Sequence, residues 1–137
     1  MPPPVSRRND YNSRMYSAKV LDHFQNPRNG GDLPNADAWA QVENPACGDV
    51  LKLSVRVSDG RVSAIRFRAK GCVPAMACGS ALTELVLGKT VEEAGRMGVE
   101  ELVRDLGGLP EASTHASHLA MDALAGVLAK ISTPGGS

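Results

Sequence analysis

Residues 50–70 read VLKLSVRVSDGRVSAIRFRAK, and this stretch limits the possible folds more than any other in the chain. Leu51, Leu53, Val55 and Val57 recur at every second position, which puts them on one side of a strand, because successive strand side chains point to opposite faces. Ser58, Asp59 and Gly60 are turn residues, and Val62, Ile65 and Phe67 mark a returning strand in approximate alternation. A β-hairpin follows. The preceding segment AWAQVENPA adds a third antiparallel strand on this reading, with helices over one face and Lys52, Arg56, Arg66 and Arg68 on the other.

After residue 70 the hydrophobic period becomes helical. Pro74 suits a first helical position, Leu82, Leu85 and Val86 repeat at helical spacing, and Gly88 can close the helix. Thr90 with Glu93 forms a capping-box pattern that starts a short helix near VEEAGRM. VEELVRDLGGLP predicts another short helix, stopped by two glycines and Pro110. A last helix begins near Ser113 or Thr114, with Ala116, Leu119, Ala120, Ala123, Leu124, Val127 and Ile131 as its apolar face. Ahead of the sheet, Val20, Leu21 and Phe24 fit one face of a first helix that runs from Met15 to the breaker NPRNGG. Strands first and helices afterwards predict an α+β fold: a small three-stranded antiparallel sheet packed by about four to five helices.

A chain of 137 residues fits one domain, read here as 15–131, with tails at 1–14 and 132–137 that have little to bury. Lysine plus arginine equals aspartate plus glutamate at 15 each, so no net field favours polyanions, and aromatic residues are too few to stack bases. Nucleic acid is therefore not expected as a partner. A membrane is not expected either, since no run approaches the length that crosses a bilayer. The opening MPPPVSRRNDYNSR lacks the apolar stretch of a secretory signal, and three cysteines is an odd number. Both point to a reducing cytoplasm, where thiols stay free for metal or sulfur chemistry.

The residues able to carry chemistry concentrate in PACGD at 45–49, GCVP at 71–74 and THASH at 114–118. Cys47 and Asp49 flank a glycine that lets the backbone bend, so a thiolate and a carboxylate can face one point, half of a tetrahedral zinc or ferrous site. The same pair also reads as a small buried thiol beside a solvated turn aspartate. Cys72 precedes a helix start, where the dipole lowers a thiol pKa and favours a thiolate; a thiol packed under the helix is the other reading. His115 lies in the first turn of the last helix, as a ligand or as an ordinary surface imidazole.

Taken together, MYSAKVLDHFQNPRNGG, NPACGDVLKLSVRV, IRFRAKGCVPAMACGSALTELVLGKT and THASHLAMDALAG resemble the IscU/NifU-type iron-sulfur cluster scaffolds in order and spacing over nearly all of 15–131. That resemblance implies Cys47, Asp49, Cys72 and His115 as ligands of one exposed site. It implies a scaffold or carrier rather than an enzyme, transiently holding iron or a [2Fe-2S] cluster, with zinc as the occupant of the isolated protein. The implied partners are a cysteine desulfurase and recipient apoproteins, and the implied state is a monomer or weak homo-oligomer. A zinc-binding interaction or regulatory protein on the same fold is one alternative; a persulfide relay through Cys72 or Cys78 is another.

The chain departs from the family pattern at Ala116, where a third cysteine is expected directly after the histidine. Alanine neither binds metal nor accepts sulfur, but two thiolates, one carboxylate and one imidazole still suffice for a tetrahedral ion. Cys78, six positions after Cys72, reads as a core thiol, and His118 and Asp122 as a polar stripe on the face of His115. LPEAS at 109–113 keeps only the Leu-Pro of the chaperone-recognition motif found in many IscU-type members, so that partner is not expected.

Overall fold

The computed structural model describes residues 16–46 and 48–132. In chain order they form α1 (Ala18–Gln25), β1 (Ala38–Asn44), β2 (Asp49–Ser58), β3 (Arg61–Lys70), α2 (Val73–Val86), α3 (Val91–Gly95), α4 (Val99–Asp105), a 3-10 turn (Glu111–Ser113) and α5 (Thr114–Ser132). The tails expected at 1–14 and 132–137 lie outside the described residues, apart from Ser132, which ends α5. The architecture is α+β, as the order of periods predicts: three antiparallel strands in the order β1-β2-β3, with five α-helices.

The hairpin turns at Asp59 and Gly60, both with positive φ (55° and 76°), the pair of left-handed residues that matches strand twist in a two-residue turn. Leu51, Leu53, Val55, Val62, Ile65 and Phe67 are buried on the helical face. The imperfect alternation of β3 has a local cause. Arg56 pairs with Ala64 but Val57 pairs with Val62, so Ser63 is an extra residue that shifts the register by one, and its hydroxyl donates to the Arg56 carbonyl.

Helix α2 packs on β3, and α5 packs across β1 and β2. Two glycines set how near they come. A Cβ at Gly79 of α2 would stand 2.5 Å from Cδ2 of Phe67, and one at Gly126 of α5 would stand 3.2 Å from the Cβ of Ala40. With α1, α4 and α5 also against it, α2 is buried on most of its circumference, which explains its run of small residues. The outer face of the sheet carries the four expected cations, and the segment after α1 crosses it. Gly31 donates to the Phe67 carbonyl, Asp32 pairs with Arg68 and Lys52, and Arg56 reaches the carbonyls of Pro34 and Asn35.

The inner face of α1 differs from the expectation. Val20 is buried as predicted, but Phe24 is 39% exposed and His23 takes the inward position instead. Its Nδ1 lies 2.7 Å from the hydroxyl of Ser80 on α2, which also accepts from the Arg28 amide at 2.8 Å. Burial lowers the His23 pKa, with the Arg28 charge adding to it and Glu84 opposing. A histidine kept neutral in the fold and free to protonate once unfolded stabilises the fold above the unfolded pKa of about 6.5 and loses that contribution as pH falls below it. We expect the melting temperature to drop on acidification through this range. His23→Asn, which keeps a partner for Ser80, should flatten that part of the curve in thermal melts from pH 7.5 to 5.5; an unchanged slope would assign the acid sensitivity elsewhere.

Candidate metal centre

Three of the four residues expected at the site meet at one end of the sheet. Asp49 is the first residue of β2 and faces inward, 4% exposed. Cys72 caps α2 with no side-chain capping bond; the residue is exposed, and its thiol is part-buried where it meets Asp49. His115 is the second residue of α5. One ligand atom from each lies within 4.8 Å of the others, and no other group of three or more such residues occurs among the described residues. Cys47 lies outside the described residues.

The thiol and the imidazole both face one carboxylate oxygen, the thiol within hydrogen-bonding distance of it. Cys72 Sγ is 3.4 Å and His115 Nε2 is 3.5 Å from the same oxygen, Asp49 Oδ2. Donors about 2.0–2.3 Å from a tetrahedral ion stand roughly 3.3–3.8 Å from one another, which is the spacing of these two pairs, and all three donors lie within 4.8 Å. Nδ1 of His115 lies 3.1 Å from the Ala112 carbonyl. A carbonyl only accepts, so Nδ1 carries the proton of that bond, which in the neutral imidazole leaves the lone pair of Nε2 toward Asp49 and Cys72. Ala112 belongs to the 3-10 turn made by the LPEAS segment, which therefore orients the imidazole. A thiolate, a carboxylate and an imidazole fit zinc or ferrous iron and leave a coordination position over.

Electrostatics correct one expectation. Burial pushes the Cys72 thiol above its ordinary pKa; the Ala75 amide at the helix start pulls it down, and Asp49 raises it through both a hydrogen bond and its charge. The helix start acts in the direction predicted but is outweighed, so the thiolate forms when a cation arrives and displaces the proton. Cys78 is fully buried, and burial, with Cys72 second, pushes its thiol up to about 12. It is a core thiol, without the exposure or acidity that relaying a persulfide requires. Ala116 is also fully buried. His118 and Asp122 line a cleft of about 340 Å³ beside His115, together with Glu43 and Pro45, outside the three-donor group.

Residues 15–133 match the family model for the NifU-like N terminal domain. The chain belongs to that family. This NifU-like chain is 47% identical over 110 residues, 80% of its length and 72% of the relative's, to a protein of Archaeoglobus fulgidus named iron-sulfur cluster assembly scaffold protein IscU 1. It is 42% identical over 118 residues to the scaffold protein IscU of Haemophilus influenzae, covering 83% of this chain and 93% of that one. The crystal structure of a nitrogen-fixing NifU-like protein (N-terminal) from Brucella abortus superposes with a TM-score of 0.72 at 23% identity, over 88% of this chain and 96% of that one, and supports the fold. No helix among the described residues is long and apolar enough to cross a membrane.

Proposed function

We propose that this NifU-like chain is an iron-sulfur cluster assembly scaffold or carrier, holding iron or a [2Fe-2S] cluster as cargo rather than turning over a substrate. The observation that carries the reading is the convergence of Asp49, Cys72 and His115 within 4.8 Å at an accessible end of the sheet, in a chain whose relatives are named as scaffolds. Cys47, two residues before Asp49, is proposed as the fourth ligand. Aspartate is a harder donor than cysteine and a weaker partner for iron-sulfur chemistry, so a mixed donor set favours release of the cargo. A cysteine desulfurase as sulfur source and apoproteins as recipients, in the cytoplasm, complete the proposal.

One observation supports a second reading. Ala116 stands where the resemblance implies a third thiolate, and the donors that remain close a zinc site as readily as they hold iron. Zinc is accordingly proposed as the occupant of the isolated protein. Anaerobic reconstitution with ferric iron and sulfide, followed by the visible spectrum and by iron, sulfide and zinc analysis, separates the two. The scaffold reading expects a charge-transfer chromophore with iron and sulfide bound in equal amounts. Retained stoichiometric zinc with no chromophore would overturn it in favour of a zinc protein.

A further inference from the structure

We infer that Gly71 is a positioning residue for the Asp49 carboxylate, an inference that rests on reading Asp49, Cys72 and His115 as metal ligands. The two oxygens of Asp49 have different surroundings. Oδ2 faces Cys72 Sγ and His115 Nε2 at 3.4 and 3.5 Å. Oδ1 lies over the backbone of Gly71, so close that a Cβ added there would stand 2.2 Å from Oδ1, 2.7 Å from Cγ and 3.2 Å from the Asp49 Cβ. Heavy atoms do not approach to 2.2 Å without a bond, so any side chain at 71 displaces the carboxyl group.

The displacement has few ways to be absorbed. Asp49 pairs with Asn44 across the β1-β2 ladder, which holds its backbone, and its side chain is 5% exposed. Relief therefore comes from turning the carboxyl group, and a turn that frees Oδ1 from residue 71 carries Oδ2 away from Cys72 and His115. The glycine thus keeps one oxygen aimed between the thiol and the imidazole. It lies directly before Cys72 in the chain, so the residue that delivers one ligand also makes room for another. Gly71 has φ +146° as well, a conformation that side-chain-bearing residues adopt with strain. Backbone strain and carboxylate displacement thus both predict that Gly71→Ala is harmful, and the test must distinguish them.

A double-mutant cycle does so, with zinc affinity measured against a chromophoric chelator and melting temperature measured on metal-free protein. Gly71→Ala is expected to weaken zinc binding about 10-fold or more and Asp49→Ala, which removes a ligand, by more than about 100-fold, with the double variant binding no more weakly than Asp49→Ala alone. In the metal-free protein, the melting temperature lost in Gly71→Ala should be partly restored by adding Asp49→Ala, because the clashing oxygens are gone. Affinity losses that multiply in the double variant would overturn the inference and leave Gly71 a purely conformational residue. If Gly71→Ala does not fold, the double variant decides: a folded one supports the inference, and an unfolded one overturns it. A parent chain that binds neither zinc nor ferrous iron would overturn the ligand reading and this inference with it, whereas a binding parent with multiplying losses sinks this inference alone.

Discussion

Cys72→Ala should lower zinc affinity by more than about 100-fold while leaving the metal-free melting temperature near that of the parent chain. Groups that merely support a ligand cost about 10–100-fold when removed, so loss of a ligand itself should exceed that range. The fold has little invested in the thiol, which is only part-buried, makes no capping bond to α2 and has Asp49 as its one side-chain hydrogen-bond partner among the described residues. Chelator competition and metal-free thermal melts read the two quantities on one sample. Unchanged affinity would remove Cys72 from the donor set; a large fall in the metal-free melt would show that the thiol is structural.

The largest effect on stability is expected at Gly79→Val. Helix propensity alone favours almost any residue over glycine in a helix interior, by up to about 1 kcal/mol for alanine. The packing predicts the reverse, because a Cβ there would stand 2.5 Å from the Phe67 ring, and Phe67 is itself buried in the middle of β3. Overpacking of this kind costs about 3 kcal/mol, a large share of the 5–15 kcal/mol typical of a domain. Thermal unfolding should fall by roughly 10 °C for Gly79→Val. A neutral or stabilising result would mean that α2 can rise off the sheet without penalty.

Much of the architecture was legible because local chemistry and tertiary packing agree. The Thr90–Glu93 capping box forms with both of its hydrogen bonds, and the last helix starts at Thr114, one of the two positions expected for it. Elsewhere the deciding partner is distant in sequence. His23 takes the inward place expected for Phe24 because the Ser80 hydroxyl, itself fixed by the Arg28 amide, gives its ring a partner on α2. The bulge at Ser63 is visible only once strands are paired, although the three-residue step from Val62 to Ile65 hinted at it. At the candidate site, the proposed ligands stood out in the sequence by residue type, but three features around them did not. These are the Ala112 carbonyl behind His115, the bare Gly71 under Asp49, and the burial that outweighs the helix start at Cys72. None of them has a signature in residue type; each depends on which backbone atom ends up beside which side chain.

The origin of the three donors makes the centre a report on completed folding. Asp49 comes from the start of the hairpin's first strand, Cys72 from the cap of the central helix and His115 from the opening of the last one. A chain emerging from the ribosome carries the first two donors well before the third, and a partly unfolded chain has all three but scattered. Neither presents the trio within 4.8 Å that the finished fold does. Cargo would then be accepted by intact molecules and withheld from immature or damaged ones, with no separate inspection step.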